Sequence, residues 1–352
     1  MPRNLLTLRG ASQLGPEERA LIRAAMAESQ KITISEQALH VMSRPMDVAY
    51  VRREMVDWWS VSGIWQHRYA MQGRRPIKGF KSGLREEAEG ARWWIETSLR
   101  DAELYWVSPE MTEVIETLAP SIPDCLPQPP CQSGFVVFGK AVSGTDAQNG
   151  GLIYTTAFLW APVTTVLGEC ISIETYAHKD VLAVWLQMSA KEREDFHEIM
   201  PLKLHPTGGS EWPLQSEISD FSLLGAEDGD QEASMKEDRR LLATFWALCS
   251  QKITVEDRWE PDRRLRRQFE RHKGYHIPPA VRVIRLREPT ARTQGAGEGE
   301  VEWSHRWIVG SHWRRQWHPS TGQHVPTLIE AFVKGPKDKP LVVRQTVKAL
   351  VR

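Results

Sequence analysis

The sequence predicts an α+β fold, with a helical N-terminal region, a central antiparallel sheet and a basic, Trp-rich C-terminal β region. Apolar residues recur every three or four positions through most of the first 120 residues, which is the period of an amphipathic helix. From Gly134 onward, β-branched and aromatic runs alternate with Gly, Asn and Asp turns, a pattern typical of antiparallel strands. Fifteen tryptophans are present, and four of them lie within residues 303–317.

The N-terminal region is expected to span residues 1–120. Ser108, Pro109 and Glu110 provide a side-chain cap, a proline at the first helical position and an acid in the first turn, and together they predict a helix start. The proline-rich residues 119–133 exclude regular structure. Helices are predicted at about 16–26, 46–60, 82–104 and 109–118.

The central region, residues 121–222, is expected to be an antiparallel sheet with one helix. Ser189 and Glu192 have the spacing of a capping box, which predicts a helix up to about Met200. Residues 205–234 are rich in Gly, Ser and Pro, and we interpret them as a linker that contains an exposed acidic loop at 220–234. Strands are predicted at 134–142, 152–161, 166–176 and 181–188.

The C-terminal region, residues 235–352, is expected to combine a basic helix with further strands. Because no connecting segment is long, we expect all three regions to share one body built around a sheet. Helices are predicted at about 235–251 and 262–273, strands at 281–287, 301–310, 325–333 and 341–350, and a loop at 289–300.

Composition excludes several classes of protein. The four cysteines form no C-x-x-C pair, which argues against a disulfide scaffold or a zinc ribbon and favours reduced thiols in a cytoplasm. No apolar run is long enough for a membrane helix or a signal-peptide core, so no membrane partner is expected. The glycine motifs that bind phosphates and the G-x-S-x-G elbow are absent, and we expect no cofactor.

The formal net charge of zero conceals a strong division along the chain. Residues 258–352 contain 20 Lys and Arg against 9 Asp and Glu, a net charge of +11, so the other 257 residues carry −11. Such asymmetry often marks different surfaces for different partners. The alternative is that the two oppositely charged parts pack against each other.

The strongest local feature is the segment from Glu302 to His318, which interleaves tryptophan with arginine and histidine. Such a surface stacks bases or aromatic side chains and pairs with phosphates or carboxylates. The alternative is a half-buried sheet whose tryptophans fill the core. Together with the basic helix, this segment supplies the candidate binding residues: Arg263, Arg264, Arg266, Arg267, Trp303, His305, Arg306, Trp307, His312, Trp313, Arg314, Arg315, Gln316 and Trp317.

A catalytic alternative uses the same segment. A nuclease could take His305 or His312 as its general base and Arg314 to stabilise phosphate charge. The histidines lack the H-E-x-x-H spacing and have few carboxylates nearby, so no metal site is predicted. The sequence favours a binding protein over an enzyme, and a phage or plasmid maintenance protein that binds nucleic acid is a third interpretation.

A family resemblance begins at residues 278–287 and includes shorter similar pieces at 104–108 and 134–138. These residues resemble a family of phage and plasmid proteins that includes the type V anti-CRISPR inhibitor of Cas effector biosynthesis. Ser311 displaces the glycine that usually precedes His-Trp-Arg in this family. The most distinctive matches are His305-Arg306-Trp307, Gly310-x-His312-Trp313-Arg314-x-Gln316 and Lys334-Gly335-Pro336-x-Asp338-x-Pro340.

The resemblance implies a mobile-element, anti-defence-type protein. Such a protein would recognise the nascent N-terminus of a target polypeptide and lower the messenger RNA of that target during translation. The implied partners are a nascent polypeptide or other protein target, with RNA or the ribosome. The resemblance carries over no catalytic residue, and the identity of the target and the oligomeric state stay open.

Overall fold

The computed structural model confirms the α+β class: a seven-stranded mixed sheet has helices on both faces. The expectations for residues 16–26, 182–188, 220–228, 289–300 and 341–350 lie outside the described residues. The structure describes residues 36–61, 82–125, 127–145, 152–165, 168–181, 189–199, 202–213, 229–251, 253–271, 280–287, 306–309, 312–319, 322–329, 332–336 and 339–340.

Most predicted helices are present, with some changes at their ends. Ser108 Oγ accepts the Met111 N–H at 3.3 Å, as the predicted cap requires. The helix predicted after Ser189 is also confirmed. One helix begins at Gly229, within the segment predicted as an acidic loop. The helices are α1 (Pro45–Val61), α2 (Ser82–Asp101), α3 (Pro109–Leu118), α4 (Ala190–Ile199), α5 (Gly229–Cys249) and α6 (Arg263–Glu270).

The large sheet has the order β5-β4-β3-β2-β1-β7-β6. Strands β2, β3 and β4 pair antiparallel, as predicted for the central region. Strand β5 is antiparallel to β4, and β6 is antiparallel to β7. Strand β1 is parallel to both of its neighbours, β2 and β7, so the sheet as a whole is mixed. The strands are β1 (Glu103–Val107), β2 (Gly134–Thr145), β3 (Leu152–Thr165), β4 (Gly168–His178), β5 (Leu204–Pro213), β6 (Thr254–Trp259) and β7 (Val281–Leu286).

Two strands of this sheet differ from the predictions. The helix predicted to reach residue 104 ends at Asp101, and Glu103 already begins β1. The segment interpreted as a linker from residue 205 instead forms the edge strand β5. Its Gly209 faces Glu174, whose Oε1 would lie only 2.6 Å from a Cβ at that position. The glycine therefore allows a close approach between paired strands.

The two faces of the sheet bury separate cores. On β1, Leu104 and Trp106 point toward the core shared with α1 and α2. Tyr105 and Val107 point the opposite way, toward the core shared with α3 and α5. This alternation is the period of two expected of a strand covered on both faces. The sheet is therefore a central layer between α1 and α2 on one face and α3 and α5 on the other.

Arginine side chains stabilise helix ends inside the molecule. Arg52 Nη1 donates to the Ala102 carbonyl at 3.1 Å, just beyond α2, and Arg53 Nη1 donates to the Phe269 carbonyl in α6. Cations at helix C-termini donate hydrogen bonds to free carbonyls and interact favourably with the negative end of the helix dipole. Burial lowers the pKa of Arg52 to about 9, so this guanidinium stays charged at pH 7.

The C-terminal residues form two small antiparallel sheets. Strand β8 (Trp307–Val309) pairs with β11 (Phe332–Lys334), and β9 (His312–His318) pairs with β10 (Gln323–Ile329). Within the described residues, the strand predicted at 301–310 is present as β8, and the strand predicted at 325–333 is divided between β10 and β11. Strand β9 was not predicted. Among the described residues, no helix combines the length and the apolar character needed to cross a bilayer.

Candidate nucleic-acid interface

The arginine-rich helix α6 is held against the body by two apolar side chains. Leu265 and Phe269 are four residues apart and therefore lie on the same side of the helix. Both pack against the core under α1, and Phe269 is only 6% exposed. The Tyr50 ring lies 5.0 Å from the Phe269 ring, and the Arg53 guanidinium lies 5.5 Å from it. These contacts fix which sides of α6 face solvent.

All the arginines of α6 are exposed, and so is Arg271 directly after it. Arg266 pairs with Glu260. Within the described part of the chain, no carboxylate lies within salt-bridge distance of the other four: Arg263, Arg264, Arg267 and Arg271. We call these four residues the arginine row. Steps of four residues along a helix separate such side chains by about 6 Å, so the row presents clustered positive charge to a polyanion.

The arginines of the neighbouring strand β7 are neutralised instead. Arg282 lies between Glu103, at 2.8 Å, and Glu256, at 2.5 Å. Arg285 pairs with Asp257 across the strands. Acids on adjacent strands therefore compensate the positive charge of these two arginines, in contrast to the arginine row.

The β9–β10 hairpin contains both inward-facing and outward-facing tryptophans. Trp313 Nε1 donates to the Leu118 carbonyl at 3.1 Å, and the Leu328 N–H donates to Gln251 Oε1 at 3.3 Å. These contacts dock one end of the hairpin onto the body. Trp317, at the other end, is 51% exposed. The core interpretation is therefore right for Trp313, and the surface interpretation is right for Trp317.

The other predicted site residues fall into three groups. His312, Arg314 and Arg315 are exposed on β9, and Gln316 is half-buried. Arg306 is tied to the chain itself, since its Nε donates to the Lys339 carbonyl at 2.7 Å. Of the remaining residues, Trp303 and His305 lie outside the described residues, and Trp307 belongs to β8, where its backbone alone is described.

The candidate binding residues of the basic helix and of the hairpin lie on two surfaces, on opposite sides of the sheet. Helix α6 packs into the core that contains Leu104 and Val283, whereas the hairpin packs into the core that contains Tyr105 and Ile284. Both surfaces adjoin the edge strand β6, because Gln251 shortly precedes this strand and α6 shortly follows it. The sequence could not reveal this division, since it depends on which way alternate residues of β1 and β7 point.

The catalytic alternative rests on His312 and Arg314, which project from the same face of β9 and are both exposed. The described residues contain no cluster of three or more His, Cys, Asp or Glu side chains that could hold a metal ion. Burial raises the pKa of the Cys131 thiol to about 11, so it is protonated at pH 7 and a poor nucleophile.

The sequence did not predict that three ionisable groups on β4 and β5, namely Glu174, His178 and His205, are buried. Burial raises the pKa of Glu174 to about 8 and lowers the pKa of His178 and of His205 to about 4. Their only sequence signal is a polar residue inside a predicted strand or linker, which does not indicate burial. All three are therefore neutral, or mostly neutral, at pH 7.

The chain matches no family model, no curated protein and no solved structure. Its fold and surfaces define an α+β protein with a cationic helix on one face of a mixed sheet and an aromatic, cationic hairpin on the other. The resemblance to the phage and plasmid family stays a prediction.

Proposed function

We propose that this protein is a mobile-element, anti-defence-type binding factor. It binds the RNA of a translating complex, recognises the nascent polypeptide of its target and lowers expression of that target. The observation that carries the proposal is the arginine row on α6, whose four guanidinium groups are exposed and have no described carboxylate partner.

The chemistry of the row favours a phosphate backbone as its ligand. Guanidinium groups pair with phosphate oxygens through parallel hydrogen bonds, and they stay charged at any physiological pH. The row lies on an exposed helix, so it suits a regularly spaced polyanion and not a small enclosed ligand. Binding of this kind depends on charge and not on base sequence.

The position of the arginine row on one face of the sheet supports a factor with two partners. RNA along α6 leaves α3 and α5, on the opposite face of the sheet, uncovered for a second partner. A protein that binds messenger RNA and a nascent chain together needs surfaces that do not overlap. The arrangement meets that requirement within one body.

Affinity capture from cells at moderate salt tests this proposal. The wild type should retain RNA and ribosomal material, and Arg263→Gln/Arg267→Gln should lose most of it. The matched control is Lys191→Gln/Lys203→Gln, which also removes two exposed charges. Lys203 directly precedes β5, the sheet edge opposite β6.

If the wild-type protein captured from cells carries no RNA, the proposal is refuted. Equal loss of RNA in the two double variants would also refute it, because the effect would then follow net charge and not the arginine row. RNA that the wild type cleaves and His312→Ala leaves intact would instead favour a nuclease.

A further inference from the structure

The far end of the β9–β10 hairpin exposes an indole ring that the rest of the chain leaves half uncovered. Trp317 is 51% exposed, and its ring centroid lies 5.0 Å from that of His324, with the planes inclined by 61°. The two residues are direct partners across the strand pair. His324 therefore supports one side of the indole, while much of the ring is open to solvent. We call Trp317, His324 and Arg315 the hairpin tip.

Strand alternation explains why this ring is exposed. Trp313, Arg315 and Trp317 lie on one face of β9, and Trp313 pairs across the hairpin with Leu328. The Trp313–Leu328 end is docked on the body, and Leu328 is 8% exposed. Trp317 lies on the same face four residues further along β9, about 14 Å away, and there the side chain is exposed. This face of the hairpin is therefore docked on the body at Trp313 and ends in an exposed aromatic side chain at Trp317.

The charge around the tip indicates the kind of partner. Residues 312–329 contain no Asp or Glu, and the exposed Arg314 and Arg315 lie within three residues of Trp317. A nucleotide offers a planar base to the indole and a phosphate to the guanidinium groups. Stacking on an aromatic ring combined with phosphate pairing is the usual way in which single strands are held.

We infer that the hairpin tip stacks an unpaired base of single-stranded RNA. The inference rests on the proposed function, since RNA is the partner, but it uses a surface separate from the arginine row. Stacking of this kind tolerates any base sequence.

Binding of two synthetic strands of equal length tests the inference. One is a short oligouridine, and the other is the same backbone without bases. The wild type should bind the oligouridine about tenfold more tightly, within the range that one base–aromatic stack provides. Trp317→Ala should lose this preference while its affinity for the abasic strand is unchanged, and Trp317→Phe should keep part of it.

The matched control is Trp93→Ala, because Trp93 is 64% exposed on α2. This variant should discriminate between the strands as the wild type does. Equal wild-type affinity for the two strands, or a preference that survives Trp317→Ala, would overturn the inference and favour a polypeptide as the occupant. The Arg263→Gln/Arg267→Gln variant should weaken the binding of both strands by the same factor. A wrong assignment of the arginine row would therefore be seen separately from a wrong assignment of the hairpin tip.

Discussion

Replacing Glu174 by glutamine should change how the stability of the protein depends on pH. Glu174 Oε2 is enclosed and accepts no hydrogen bond from the described residues, and burial raises the pKa of this carboxyl from 4.5 to about 8. Between these two values the folded chain keeps a proton that the unfolded chain has lost. The stability that the protonated carboxyl contributes is therefore complete below pH 4.5 and is lost as the pH rises toward 8.

The size of the effect follows from the same shift. Each pKa unit corresponds to about 1.4 kcal/mol, so the free energy of unfolding should fall by about 3 kcal/mol between pH 4.5 and pH 7 because of Glu174 alone. Glutamine does not ionise, so Glu174→Gln should not show this fall. The glutamine amide contributes the same free energy at every pH. The quantity to compare is therefore the slope of the unfolding free energy against pH in the two proteins.

Urea unfolding of both proteins at several pH values between 4.5 and 8 measures this difference. Other buried groups, such as Asp238, whose pKa burial raises to about 7, are common to both proteins and cancel. The variant Glu169→Gln, which removes an exposed carboxyl from the same strand, shows whether loss of any charge on β4 has the same effect. If the free energy of unfolding changes with pH in the same way for the wild type and Glu174→Gln, the reasoning is refuted.

Three further substitutions test the packing that positions the site. Phe269→Ala should lower the free energy of unfolding by about 3 kcal/mol, as measured by thermal unfolding. It should also weaken RNA binding in fluorescence anisotropy, because α6 loses its apolar anchor although every arginine remains. An unchanged RNA affinity would contradict this. Gly134→Ala should destabilise by at least about 2 kcal/mol in urea, because the new Cβ would lie 2.0 Å from Trp160 Cζ2, and wild-type stability would show that the ring moves freely. Ser108→Ala should cost about 1 kcal/mol through loss of the α3 cap, whereas Ser108→Asp should retain most of it.

Much of the fold could be predicted because local patterns and tertiary packing agree. The Ser108 cap, the capping box after Ser189 and the alternating strands from Gly134 all mark elements that the structure contains. Strand β1 escaped prediction because it is buried on both faces, so its apolar run carries no period of two and continues the pattern of α2. Strand β5 escaped because Gly208 and Gly209 resemble a linker, although Gly209 lies close against the Glu174 side chain of β4.

The candidate site was predictable in composition but not in arrangement. The exposed arginines of α6 follow from the spacing of Leu265 and Phe269, which any helix would turn inward. The neutralisation of Arg282 by Glu103 and Glu256 depends on strand pairing between distant parts of the chain. For the same reason, the sequence could not show that the candidate binding residues of the helix and of the hairpin lie on two separate surfaces.

The dependence of RNA affinity on salt concentration tests the central claim most directly. Each phosphate contact to a single strand changes the slope of log affinity against log salt by about −0.7, so the four arginines of the row contribute about −3 to this slope. Arg263→Gln/Arg267→Gln should reduce its magnitude by about 1.4, and Lys191→Gln/Lys203→Gln should leave it unchanged. A slope that is the same in the wild type and the α6 variant would contradict the assignment of α6 as the RNA-binding surface.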